Sequence, residues 1–330
     1  MQVIELAQHM LPEALNMPSQ HETRANFSEA EGAPKKNKGI NKMKIATKIV
    51  SLVSLAAVLA GSPLLAGDAK TFKEKVVIEE PTKWYGAALS TGWDSLYMFR
   101  GVNVISHGAY GNTSNYGSGI YWTDLSFTWN ITPNDMLTIG SWAAFGTSNT
   151  SYKEVDIYTT YTHTIGDLAL SAGYIFYYVF PTGSDLYSHE LNVKAAYTFD
   201  LGFMSVTPSA AYYFNIGPDV ANGNGIAKEA ASYLLLRVDG SIPLYKDIVS
   251  LAPWVAYGTN FQYNPKLTSS GTYDFFNGAN NVELGLGVPV KVNDVISLYG
   301  YVAYSYAFSN LWGTTSPSTV WGGAKVTFAF

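Results

Sequence analysis

The chain has 330 residues, of which 14% are charged and 15% aromatic, with 24 tyrosines, no cysteine and a formal net charge of −5. The lack of cysteine excludes a disulfide framework, thiolate metal sites, a cysteine nucleophile and a lipoprotein anchor. Mild acidity without a basic cluster beyond the leader gives no phosphate-neutralising footprint, so no nucleic-acid partner is expected, and so little charge beside so many rings is unlike an ordinary soluble domain.

Residues 1–42 are polar and irregular apart from a short apolar opening. They read as an over-extended reading frame or unstructured leader, the alternative being an authentic long n-region. From Met43 the pattern changes: Met43-Lys44-Ile45-Ala46-Thr47-Lys48, an apolar stretch from Ile49 to Ala60, then Gly61-Ser62-Pro63-Leu64-Leu65-Ala66. A basic start, about a dozen apolar residues and a small-residue end make residues 43–66 a secretory signal peptide. Cleavage is expected after Ala66, with Ala69 or Ala60 as rivals; a single anchoring helix is the competing reading, disfavoured by Gly61 and Pro63. Residues 67–83 form a short lead-in. Past residue 67 no apolar run reaches the ~18 residues of a membrane-spanning helix.

From residue 84 onward the chain falls into about twelve segments rich in strand-forming Tyr, Val, Ile, Leu, Thr and Ala. They are Trp84–Asn103, Gly119–Ile131, Met136–Thr147, Lys153–Ile165, Leu168–Phe180, Tyr187–Phe199, Met204–Ile216, Ser232–Leu244, Ile248–Phe261, Asn281–Val292, Val295–Phe308 and Thr319–Phe330. Short and long connections alternate, and every short one carries an aspartate, at positions 135, 167, 200, 247 and 294. Aspartate and asparagine bond their own backbone and tolerate turn geometry. Tight turns on one side and longer loops on the other are the asymmetry of a transmembrane barrel. The predicted fold is therefore all-β, a transmembrane antiparallel up-and-down barrel of about 12 strands spanning residues 84–330.

The segments alternate with period two. In Asn281–Val292, Val282, Leu284, Leu286, Val288 and Val290 share one face, and Asn281, Glu283, Gly285, Gly287 and Lys291 the other. Tyr187–Phe199 and the last segment behave alike, with all charges on one face. Alternation alone does not distinguish a soluble barrel, apolar within, from a membrane barrel, apolar without. Trp129, Tyr161, Tyr197, Tyr212, Tyr257 and Tyr304 near the ends of the apolar stripe resemble an interfacial girdle, and the opposite face, crowded with Gly, Ala and Ser, makes a poor aqueous coat. The apolar face is expected to meet lipid.

Ser95-Leu96-Tyr97-Met98-Phe99-Arg100-Gly101-Val102 resembles the Asp-Tyr-Val-Phe-Arg-Gly-Val signature of the TorF-like family of outer-membrane porins. Tyr97, Phe99, Arg100, Gly101 and Val102 match it; Ser95 stands where the family has aspartate, with Asp94 one place earlier, and Leu96 is inserted. The match covers under a tenth of the chain and implies a pore role. The final aromatic strand, ending in Phe328 and Phe330, resembles the C-terminal signal read by the outer-membrane assembly machinery.

Strand parity makes Arg100, Asp124, Glu154, Asp156, Glu190, Lys194, Arg237, Asp239, Glu283, Lys291 and Lys325 the pore-lining candidates, either setting selectivity or bracing the wall in pairs such as Glu190 with Lys194 and Arg237 with Asp239. Past the signal segment the histidines are His107, in the first loop, and His163 and His189, on the lipid-facing parity; none shows a serine and carboxylate partner in register, so no enzyme is expected. Asn222-Gly223-Asn224-Gly225 fails the spacing of a calcium loop. The aromatic first loop, with Tyr110 and Tyr116, could bind glycans or a partner, or fold into the lumen. No cofactor or metal is expected. The expected partners are outer-membrane lipid, the barrel-assembly machinery and small hydrophilic solutes. The expected function is passive diffusion of such solutes, the alternative being a non-conducting barrel acting through its extracellular loops.

Overall fold

A computed structural model describes residues 84–105, 119–147, 152–180, 186–218, 228–246, 248–268, 273–311 and 317–330. The proposed leader, signal peptide and lead-in, His107, Tyr110, Tyr116, the Asn222–Gly225 loop and the turn residue Asp247 lie outside them. In chain order the strands are β1 (Tyr85–Asp94), β2 (Met98–Phe99), β3 (Val102–Asn103), β4 (Ile120–Asn130), β5 (Asp135–Gly146), β6 (Lys153–Ile165), β7 (Leu168–Val179), β8 (Leu186–Tyr197), β9 (Phe199–Asp200), β10 (Ser205–Gly217), β11 (Ser232–Tyr245), β12 (Val249–Leu267), β13 (Tyr273–Lys291), β14 (Ile296–Ala307) and β15 (Ser318–Ala329). No helix occurs among the described residues.

Twelve long strands pair antiparallel with their sequence neighbours; β15 pairs with β1 and β10 with β11, which closes the sheet. The two-residue β9 extends the β10 edge, and β2 and β3 form a separate two-stranded ladder. Closure removes the unpaired edges that lipid could not satisfy.

Burial decides which face points inward. On β13, Glu283 is 5% exposed and its neighbour Leu284 50%. Around the wall the outward set includes Leu89, Leu125, Ile139, Ile157, Val193, Val255, Leu286 and Val302, while Glu154, Asp156, Glu190, Asn215 and Asn281 are buried within. Apolar side chains thus face the surroundings and polar ones the interior, the arrangement of an outer-membrane barrel. Tyr161, Tyr197, Tyr212 and Tyr257 stand outward and exposed.

The tight turns use side-chain caps, though not always the aspartate. The Asp200 carboxylate accepts from Gly202 N at 2.8 Å, and the Asn293 amide oxygen from Val295 N and Ile296 N at 2.9 and 2.7 Å. Thr132 caps Asn134 N and donates its hydroxyl to the Asp135 carboxylate, which also accepts from Tyr161 and His163 on the outer wall at 2.5 and 2.8 Å. His163 therefore has a carboxylate partner in register.

Three boundaries differ by more than two residues from the sequence reading. The first strand ends at Asp94 rather than Asn103, and the following residues turn into the barrel. Strands β12 and β13 run beyond the expected Phe261 and Asn281, pairing on past a bulge between Phe261 and Pro265, with Gln262 at φ 61°.

Candidate functional site

The segment that leaves the top of β1 is the centre of the interior. Ser95 is tied back to β15, its N–H donating to Gly322 O at 2.9 Å and its hydroxyl accepting from Gly322 N at 3.0 Å. Phe99 pairs with Val102, leaving Arg100-Gly101 as a two-residue turn with φ of 51° and 79°. Positive φ at both central positions fits the type I′ turn whose twist suits a tight hairpin. Gly101 is required twice over, since a Cβ there would also lie 2.6 Å from Asn281 Cγ. Arginine at φ 51° is a strained choice that the surroundings must enforce.

They do so from every side. Arg100 donates through both terminal nitrogens to the Glu190 carboxylate on β8, at 2.6 and 2.7 Å. Its guanidinium carbon lies 4.0, 4.4, 4.6 and 5.4 Å from the ring centroids of Tyr213, Tyr263, Phe99 and Tyr233, within the range of cation–π attraction. Tyr177 and Tyr263 also donate to Glu190, at 3.1 and 3.0 Å. The Arg100 carbonyl accepts from the side-chain amides of Asn264 and Asn280 at 3.0 and 2.8 Å. Arg100 is 7% exposed and Glu190 fully buried. Hairpin side chains fill the remaining space: Tyr97 packs on Trp142 and Tyr152, Met98 near Trp254 and Trp321, and Val102 near Ala307 and Leu311.

The other lumen carboxylates are held largely by aromatic donors. Asp94 accepts from Trp122 Nε1 and Tyr301 Oη at 2.9 and 2.6 Å; Asp124 from Tyr158 at 2.8 Å; Glu154 from Tyr152 at 2.5 Å; and Glu283 from Trp254 Nε1 at 2.9 Å. Hydrogen bonds of this kind are what a buried carboxylate needs in place of water.

The pore-lining candidates divide accordingly. Asp124, Glu154, Asp156, Glu190, Lys194, Arg237, Asp239, Glu283 and Lys325 stand on the inward parity of their strands. Arg237 pairs with Asp239 at 2.7 Å as the bracing reading expected, whereas Glu190 pairs with Arg100. Arg100 is interior but belongs to no wall strand, because the chain leaves the wall at Asp94. Lys291 keeps the inward parity of β13 but lies exposed at the strand end, bonded to the turn residue Asp294 at 2.8 Å. The Lys291 bond holds the Asp294 carboxyl below its ordinary 3.8. Phe328 and Phe330 lie on the outward face, Phe330 exposed beside the β1 edge. His189 faces outward too, bonded to Tyr174 at 2.6 Å. The sequence reading missed Asp94, and it missed the interior role of Tyr177, Tyr213, Tyr233, Tyr263, Trp122 and Trp254, although the wall aromatics among them share the parity of the charged residues.

No protein-family model matches the sequence, and no curated protein sequence matches it. Solved structures do align. An outer-membrane channel from Pseudomonas putida F1 is 13% identical, with a TM-score of 0.48 over 76% of this chain and 99% of that one. The KdgM porin is 10% identical, with a TM-score of 0.39 over 74% and 99%. LpxR from Salmonella typhimurium is 9% identical, with a TM-score of 0.45 over 73% and 99%. The expectation that this chain is no enzyme does not stand, since LpxR, an outer-membrane enzyme, is among the solved structures that align with it. The chain is a closed twelve-stranded antiparallel β-barrel, apolar outside and polar inside as outer-membrane barrels are, with a charged interior around an inward hairpin.

Proposed function

We propose that the protein is a narrow outer-membrane channel for small hydrophilic solutes or ions, a porin of the TorF-like kind, with the Leu96–Val104 hairpin at its constriction. The observation that carries this reading is the charge of the interior. Beyond the Arg100–Glu190 and Arg237–Asp239 pairs, the carboxylates of Asp94, Asp124, Glu154, Asp156 and Glu283 are set against Lys194 and Lys325. Such a lumen selects ions by its field, and those of its carboxylates that ionise favour cations. Twelve strands also fall between small filled barrels and wide porins. Export through residues 43–66 and assembly through Phe328 and Phe330 belong to the same reading.

A second reading rests on the packing around Arg100. A barrel that kept the hairpin in place would not conduct and would act through its outer loops. Single-channel recording in a planar bilayer under a salt gradient separates the two. Discrete steps with a cation-selective reversal potential are the expected result. Silence from a barrel whose folding is verified by heat-modifiable gel migration would favour the second reading, and an anion-selective reversal would overturn the charge argument.

A further inference from the structure

The cradle around Arg100 is built by the wall, while its occupant comes from the hairpin. Glu190 projects from β8, Tyr177 from β7, and Tyr213, Tyr233 and Tyr263 from the three neighbouring strands β10, β11 and β12. The Tyr177 and Tyr263 hydroxyls orient the Glu190 carboxylate independently of Arg100. A carboxylate fixed in advance and flanked by ring faces is a preorganised receptor for a planar cation.

A second recognition point lies beside it. The amide donors of Asn264 and Asn280 converge on the Arg100 carbonyl oxygen. Asn264 is further held by Asn260, whose side-chain oxygen accepts from Asn264 N at 2.8 Å, and Asn280 is bonded to Asn281 at 2.9 Å. The wall thus presents an anionic fork for a guanidinium and two donors for an oxygen, separated by the span of one arginine. The element that delivers Arg100 is slighter: a ladder of two residue pairs turning through a non-glycine residue at φ 51°.

We propose that this cradle is a lumenal binding site for guanidinium-bearing solutes that also carry a carbonyl or carboxylate oxygen, of the arginine type, and that Arg100 is a tethered occupant which such solutes displace. The proposal rests on the channel reading only in that solute must reach the lumen. A lysine-type solute has the same charge but no planar fork for the carboxylate, so losing one charge-assisted hydrogen bond makes it bind about tenfold or more weakly.

The test uses the refolded full chain and its Arg100→Gly variant, which empties the cradle and relieves the positive φ. L-arginine and L-lysine are titrated by calorimetry. Saturable arginine binding is expected in the variant. It should be weaker in the wild type, where Arg100 competes, and the preference over lysine should vanish when Glu190→Gln is added. Equal response to the two amino acids in a folded Arg100→Gly barrel would overturn the proposal. Should that variant not fold, hydrogen exchange on the wild type decides: arginine, and not lysine, should accelerate exchange of the amides of residues 96–104, and no difference would overturn displacement. Neither readout depends on conductance, so a silent channel and a failed binding site are told apart.

Discussion

Replacing Glu190 by alanine leaves the Arg100 guanidinium, whose side chain is 5% exposed, with neither of its two carboxylate bonds. Removing one partner of a buried pair costs about 3–5 kcal/mol, because the survivor is an uncompensated charge in a low-dielectric site. The Tyr177 and Tyr263 hydroxyls lose their acceptor at the same time, which places the expected loss near the upper end, ~5 kcal/mol. Arg100→Ala should cost a comparable amount by stranding Glu190. Arg100→Leu with Glu190→Leu removes both charges and keeps the volume, so it should be more stable than either single alanine variant, with a coupling energy of roughly 3 kcal/mol. The assay is urea unfolding in lipid vesicles followed by tryptophan emission, with heat-modifiable migration as the check on folding. Additive losses, or single-variant losses under about 1 kcal/mol, would refute a desolvated pair and imply that water reaches Arg100.

Three further outcomes follow from other parts of the wall. Gly285→Ala puts a methyl group into the Trp254 indole, displacing the ring from Glu283, and should cost about 1–3 kcal/mol; Gly300→Ala, whose Cβ would meet nothing within 4 Å, should leave the urea midpoint unchanged. Leu125→Arg places a charge on the lipid-facing wall and should cost about 2–4 kcal/mol if it sits near the bilayer midplane, measured by the same unfolding in vesicles. The depressed Asp294 carboxyl means that its bond to Lys291 contributes above the ordinary 3.8 and is lost only as pH falls through the still lower folded value; Asp294→Asn should therefore leave the pH 5–8 stability profile unchanged, and a new slope in that window would contradict the assignment.

The wall was legible in the sequence because period two is imposed by lipid on one side and a polar lumen on the other. Val282 to Val290 alternate against Asn281 to Lys291 whatever the loops do. The hairpin was not legible. Ser95–Asn103 contains strand-forming residue types, and Arg-Gly is not among the familiar Asn-Gly or Asp-Gly turn signals, so parity carried on through Arg100 as though the wall continued. That count put Arg100 inside correctly but for the wrong reason, since the residue enters on a turn from the lumen side. The extension of β12 past Asn264-Pro265 was hidden for a related reason: a proline beside a bulge and a proline in a turn are locally the same signal.

The glycines on the polar face, which the sequence showed only as a poor aqueous coat, have a specific use. Trp122 lies over its cross-strand neighbour Gly92 and donates to Asp94, two residues along the same strand. Trp254 does the same over Gly285 to reach Glu283. Tyr158 crosses Gly140 on the adjacent strand to reach Asp124 on the one beyond, and Tyr233 crosses Gly258 to reach Asn281. In each case a Cβ on the glycine would occupy the space of the ring. Missing side chains on one strand thus let rings from the next lie flat on the wall, which carries an N–H or O–H donor to a polar group that water would otherwise have to solvate. The same economy explains why this barrel holds so many tyrosines within as well as at its rims, and why its interior closes on Arg100: four wall tyrosines, Tyr177, Tyr213, Tyr233 and Tyr263, and the amides of Asn264 and Asn280 converge on Arg100 and its Glu190 partner.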